Sequence, residues 1–159
     1  MLHIRLIALG TLKESYWRDA VCEYQKRLGA YAKVEITELK EYRLSENPSR
    51  REIDAALEKE GADILSSLLP RSFVVALCVE GKQLSSEELA DRLADIMQTN
   101  GALTLIIGSS HGLSPSVKAA AQLRLSVSRL TFPHQMMRAV LLEAVYRSLS
   151  ILAGGKYHK

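Results

Sequence analysis

The chain has 159 residues, of which 47% are hydrophobic and 25% charged, with a formal charge of +3. These values exclude a disordered chain and a disulfide-rich mini-scaffold, and they fit one domain able to bury a core. The mildly basic balance permits a nucleic-acid partner without requiring one.

Cys22 and Cys78 stand alone, with no CxxC spacing, and are expected to be reduced thiols, which points to a cytoplasmic setting. The apolar N-terminal run is broken by His3 and Arg5, so no signal peptide is expected. No apolar stretch reaches bilayer length, so no membrane partner is expected. Residues 2–9 alternate, turn fully apolar and end at Gly10, which predicts a strand. Residues 13–28 predict a helix with Tyr16, Ala20, Tyr24 and Leu28 on one stripe, Trp17 beside it and Gly29 as the stop. Residues 34–39 predict a second strand, and the polar stretch 41–47 a loop.

Ser49 and Glu52 have capping-box spacing and open a helix expected to run to Leu68 or Leu69, with Gly61 as a point where it can break. Residues 73–79 are continuously apolar, as suits a central parallel strand, and Glu80-Gly81-Lys82 reads as a turn. Ser85 and Glu88 repeat the capping box and open a helix through Met97, closed by Asn100-Gly101. Residues 103–107 predict another buried strand. A glycine turn follows, and Ser114-Pro115 opens a short helix through Ala121.

The run 123–127 is apolar, and Pro133 opens the longest periodic stretch of the chain. Its spacing places Met136, Met137, Val140, Leu141, Ala144, Val145, Leu149 and Leu152 on one buried face, up to Gly154-Gly155. The alternation of strand and helix predicts an α/β fold with a parallel sheet between helical layers. Ligands of such sheets bind at the carboxyl ends of the strands. The loops after Val79, Ile107 and Val127 therefore form one pocket if their strands are neighbours.

The turn Gly108-Ser109-Ser110-His111-Gly112 is neither a dinucleotide fingerprint nor a phosphate-binding P-loop. It matches G-x-S-x-G around Ser110, but a hydrolase elbow needs a helix at once, and none can start before Ser114. A triad would require Ser110, Glu143 and His158, whereas Glu143 has the spacing to pair with Arg147. His3, His111, His134 and His158 lack ligand spacing, so no metal is expected. Arg124, Arg129, Arg138, Arg147, Lys156 and Lys159 make the last third basic, as an RNA-facing surface or as solvated helix faces. Tyr157 is either a ring for base stacking or part of a free end.

One set of stretches comprises Gly10 with Lys13-Glu14-Ser15-Tyr16-Trp17, Glu23-Tyr24 with Lys26-Arg27-Leu28, and Ile106-Ile107-Gly108 with Gly112-Leu113. Leu130-Thr131-Phe132-Pro133-His134-Gln135-Met136-Met137-Arg138 and the ending Tyr157-His158-Lys159 complete the set. Together these stretches resemble the RlmH family, small SPOUT-class methyltransferases of ribosomal RNA. The resemblance implies an α/β/α sandwich with a C-terminal trefoil knot, a homodimer, and S-adenosylmethionine as methyl donor. It further implies methylation at N(3) of a pseudouridine in large-subunit (23S) ribosomal RNA, with the assembled ribosome as partner.

Carried over, the donor site comprises Leu77, Gly108 and Val127, Ser128, Arg129, Leu130, Thr131 and Phe132. Arg138, Lys156, Tyr157 and Lys159 lie toward the RNA. His158, Tyr157, Arg138 and His134 are the catalytic candidates; either histidine can accept the proton of the ring nitrogen, which can also pass directly to water. Ser109 and His111 depart from the family pattern, and a side chain at Ser109 can narrow the donor pocket. Two other readings stay open on the residues: a hydrolase centred on Ser110, and a non-catalytic ribosome-binding module.

Overall fold

The computed structural model describes residues 1–158. Five strands, β1 (Leu2–Leu9), β2 (Ala32–Leu39), β3 (Phe73–Lys82), β4 (Ala102–Ile107) and β5 (Leu123–Leu125), alternate with five helices. The helices are α1 (Ser15–Leu28), α2 (Arg50–Ser66), α3 (Ser86–Thr99), α4 (Pro115–Ala120) and α5 (His134–Leu152). The strands form one sheet in the order β2-β1-β4-β3-β5, with every pairing parallel.

The period-2 alternation of the strands assigns the helices to two layers. Leu2, Ile4 and Leu6 of β1, with Leu103, Leu105 and Ile107 of β4, join Val21 and Leu28 of α1, Leu93 and Ile96 of α3, and Leu141, Leu142, Val145 and Leu149 of α5. The opposite face presents Ile7, Leu9, Val74, Ala76, Cys78 and Ile106 to Ile64 of α2 and Val117 of α4. The parallel α/β sandwich expected from the chain is therefore the one observed. No helix among the described residues is long and apolar enough to cross a membrane.

Both capping boxes form, at Ser49/Glu52 and Ser85/Glu88. Several expectations are corrected. Helix α2 does not break at Gly61; a Cβ there would overlap the Ser114 hydroxyl, so the glycine lets α2 pack closely on the start of α4. Helix α1 starts at Ser15, two residues late, because Arg18 takes the Leu12 and Lys13 carbonyls at 3.0 and 2.7 Å. Tyr16 is 61% exposed, and Val21 belongs to the buried stripe instead.

Glu80-Gly81-Lys82 is not a turn. Strand β3 continues through it, shifts register, and pairs Lys82 with Leu125. Gly81 allows this, since a Cβ there would overlap the β5 backbone at Arg124 and Leu125. In α5 the burial is wider than one stripe because α1 and α3 flank the helix. Arg138, Ala139, Leu142 and Ser148 are buried, Met136, Val140 and Ala144 only half-buried, and Leu152 is exposed.

On the β1–β2 pair, one carboxylate meets two cations and an imidazole. Glu35 pairs with Arg5 at 2.9 Å and Lys33 at 2.9 Å, and the His3 ring nitrogen lies 3.1 Å away. Lys33 and then Arg5 hold the Glu35 carboxyl down to about 2 from an ordinary 4.5. A depressed carboxylate stabilises the fold above its unfolded value, and the stabilisation is lost as pH falls through the folded one. Glu35→Gln is expected to flatten the decline of thermal stability from pH 4.5 toward 2, read by melting curves of both proteins at each pH. The effect is small because the cluster is solvent-screened.

Candidate functional site

Because β4, β3 and β5 are neighbours, the loops that follow them meet at one edge of the sheet. They enclose a cleft of about 620 Å³, within the range of roughly 300–1,000 Å³ usual for small-molecule sites. Its apolar surface comes from Leu77 and Val79 of β3, Ile107 and Leu113 around the glycine turn, Leu125 of β5, and Val127, Leu130, Phe132 and Met137 beyond it. Ser126, Ser128, Thr131 and His134 supply polar groups on the same side. Leu130, at 73% exposure, forms part of the lip.

The local sequence explains the shape of each wall. The two glycines of the turn have different tasks. Gly112 adopts φ +88°, a conformation costly for residues with a Cβ, and its N–H donates to the Ser109 carbonyl at 2.9 Å. Gly108 has no room for a side chain: a Cβ would overlap the Gly112 carbonyl and crowd Leu113. The stretch after β5 is fixed by its own serines, with the Ser126 hydroxyl donating to the Ser128 carbonyl at 3.0 Å and the Leu130 N–H to the Ser128 hydroxyl at 3.0 Å. From Ser126 to Pro133 the backbone belongs to no helix or strand, so the segment can offer main-chain groups to a ligand.

Helices α2, α3 and α4 are each capped by a serine side chain, whereas α5 begins at Pro133 with no side-chain cap. His134, the first residue of α5, lines the cleft, and an uncapped helix N-terminus favours polar ligand atoms. The Lys118–Glu80 ion pair at 2.6 Å closes another side, and Lys118 holds the Glu80 carboxyl below its ordinary value. Burial pushes the Cys78 thiol up, which keeps it protonated in the wall.

Of the residues assigned to donor binding, Leu77, Gly108, Val127, Ser128, Leu130, Thr131 and Phe132 all line this cleft. Arg129 does not; it is exposed and turned outside the lining. His134, a catalytic candidate, is on the wall. Arg138, placed toward the RNA by the family resemblance, is corrected: it is 1% exposed. Its guanidinium pairs with Glu38 at 2.6 Å and donates to the carbonyls of Leu9 and Gly10 at 3.0 and 2.9 Å. It clamps α5 to the ends of β1 and β2 and has no access to a nucleic acid.

The tail residues are brought together elsewhere. The Tyr157 ring packs edge-on against Tyr146 at 4.8 Å, its hydroxyl reaches Glu143 at 3.2 Å, and Arg147 lies 4.6 Å over its face. Hydrogen bonding with Tyr24, burial and the Glu143 charge push the Tyr157 phenol up to about 12, so it stays protonated. Of the two readings of Tyr157, the free end is corrected: the ring packs against its own chain, with Arg147 over one face. His158 pairs with Glu87 at the start of α3 at 2.7 Å. Lys156 is exposed, and Lys159 lies outside the described residues.

Helix α5 separates this tail from the cleft of the same chain, and its 19 residues span roughly 28 Å. The candidate triad is not assembled either. Glu143, midway along α5, is taken by Arg147 at 2.6 Å, and His158, beyond the C-terminal end of α5, by Glu87 at 2.7 Å. The residue that sequence reasoning missed is Glu60, 3% exposed and bonded to the Ser109 hydroxyl at 3.1 Å. Its signal was present: Ala56, Glu60 and Ile64 recur at the i+4 spacing of a buried helix face.

Comparison with known proteins agrees with this geometry. The sequence model of the family described as "Predicted SPOUT methyltransferase" matches residues 2–158. Among solved structures, a protein of Neisseria gonorrhoeae assigned to a methylase family superposes with a TM-score of 0.50 at 16% identity, over 90% of this chain and 81% of its own. At that identity the likeness is one of fold.

Proposed function

Since the chain belongs to the SPOUT methyltransferase family, we propose that it methylates N(3) of a pseudouridine in large-subunit (23S) ribosomal RNA, with S-adenosylmethionine as donor and the assembled ribosome as substrate. The observation that carries the reading is the cleft at the ends of β3, β4 and β5, lined by seven of the eight residues assigned to the donor. Its size, apolar walls and irregular main chain suit a nucleoside with a charged tail. Leu77, Val127, Leu130 and Phe132 offer apolar surface for a base, and the segment 126–133 offers backbone groups for polar edges. In the same reading, the segment between β5 and α5 is threaded as a trefoil knot, an exception to ordinary chain connectivity.

When bound, the donor supplies an electrophilic methyl group on a sulfonium. The chain's own task is to align that group with the ring nitrogen and exclude water, since positioning contributes much of such a rate enhancement. His134 stands on the wall and can accept the ring proton. His158 is remote from its own cleft, so a role for it requires the cleft of a second copy. The half-buried apolar residues Met136, Val140 and Ala144 of α5 and exposed Leu130 support a homodimer that joins one copy's tail to the other's cleft. Exposed Arg124, Arg129 and Lys156 then provide cationic surface for the phosphate backbone.

Labelled donor, purified ribosomes and this protein test the reading. Label is expected in the large-subunit RNA of assembled ribosomes and absent from ribosomes that lack pseudouridine; equal labelling of both would refute the assigned base. The dimer is tested by mixing two inactive variants, Gly108→Trp and His158→Ala. Random exchange of subunits is expected to restore about a quarter of wild-type activity, because one of the two clefts in each mixed dimer is intact and faces an intact tail. No recovery after verified exchange would place both residues in the same copy's site.

A further inference from the structure

We propose that Glu60 is a positioning residue for the donor loop: by tying back the Ser109 hydroxyl it holds the turn 108–112 in the shape that keeps the cleft open. The inference rests on the donor reading of the cleft and adds a residue that lies behind its wall.

Among the described residues Glu60 is the one acidic residue that is buried, at 3% exposure. Burying a carboxylate is costly unless hydrogen bonds replace its water, and an apolar residue beside Ala56 and Ile64 would serve the packing of α2 better. Glu60 instead has two specific partners. One oxygen accepts from the Ser109 hydroxyl at 3.1 Å, the other from the Tyr42 N–H at 3.3 Å. Burial, the largest influence, and the Glu41 charge push its carboxyl up, while the Tyr42 amide, the Ser109 hydroxyl and His111 pull it down.

Ser109 lies at the junction, since it lines the cleft and bonds Glu60. Its hydroxyl would otherwise be free to rotate into the space beside Gly108. The base of the tie is firm, because Gly61, the next residue of α2, lies against Ser114 at the foot of α4. The other end of the turn is held by the Gly112 N–H on the Ser109 carbonyl at 2.9 Å. Ser109 thus anchors the turn twice, by its carbonyl within the loop and by its hydroxyl to α2.

A double-mutant cycle with Glu60→Gln and Ser109→Gly tests the tie, with donor affinity by calorimetry and amide hydrogen exchange of residues 108–112 as readouts. With Ser109 present, Glu60→Gln keeps an acceptor oxygen but removes its charge, and is expected to weaken S-adenosylmethionine binding roughly fivefold, the margin of a charged over a neutral hydrogen bond. It is also expected to speed exchange across the turn. With glycine at 109 there is nothing to tie back, and Glu60→Gln should change neither readout by more than about twofold. Equal losses in both backgrounds would reduce Glu60 to a fold residue and overturn the proposal.

If Glu60→Gln does not fold, Ser109→Ala removes the tie with Glu60 intact. Faster exchange of the turn is then expected, and unchanged exchange overturns the proposal. A wild type that folds but binds no donor refutes the donor reading, and the exchange experiment then decides the tie by itself.

Discussion

Gly108→Ala is expected to weaken donor binding by roughly 10- to 100-fold while the chain stays folded. The added methyl group would overlap the Gly112 carbonyl oxygen and carbon, which are backbone atoms without a side-chain torsion to relieve the contact. The turn must open, and overpacking of this kind costs on the order of 1–3 kcal/mol, each 1.4 of which is about tenfold in affinity. The strain falls mainly on the turn at the sheet edge; Leu113, which the methyl group also crowds, belongs to the core on one face only, so the melting temperature should drop modestly. Ser45→Ala, in the exposed loop before α2, is the matched control. Calorimetric titrations of both variants check the expectation; a Gly108→Ala protein with wild-type affinity would remove the glycine turn from the donor site.

Arg138→Leu is expected to lower stability by about 2–3 kcal/mol, without the folded, RNA-blind behaviour of a surface contact. Leucine fills part of the volume but leaves the carbonyls of Leu9 and Gly10 without their donor. Glu38 is 39% exposed on its side chain and can rehydrate, which keeps the loss below that of a fully buried pair. The first turn of α5 also borders the cleft, so donor affinity should fall together with stability. Urea unfolding reads the first effect and calorimetry the second. A fully stable Arg138→Leu protein that binds donor but not ribosomes would return Arg138 to the RNA face.

The two substitutions mark where the sequence was legible and where it was not. Local signals were read correctly: serine caps three residues before a glutamate, the apolar runs of β3 and β4, and the glycine turn between β4 and α4. The cleft followed from them once the strands proved to be neighbours. Signals that depend on a distant partner were misread. Arg138 carries a charge but occupies the core stripe with Leu142, Val145 and Leu149, and only its partners Glu38 and Leu9 at the ends of β2 and β1, 100 and 129 residues earlier, explain it. Gly61 looked like a helix breaker because its reason for being glycine, the side of Ser114, is on another helix. Glu60 went unnoticed for the same reason, its partner Ser109 lying 49 residues on. Tyr157 looked free because Tyr24, Tyr146 and Glu143 gather around it only in the folded chain.

The central claim is that the cleft at the ends of β3, β4 and β5 holds the methyl donor. Titration of S-adenosylmethionine into the purified wild-type protein, followed by calorimetry and repeated with ribosomes present, tests it most directly. Saturable binding at no more than one site per chain is expected, competed by the demethylated product S-adenosylhomocysteine. A folded protein that takes up no donor, alone or with ribosomes, would contradict it.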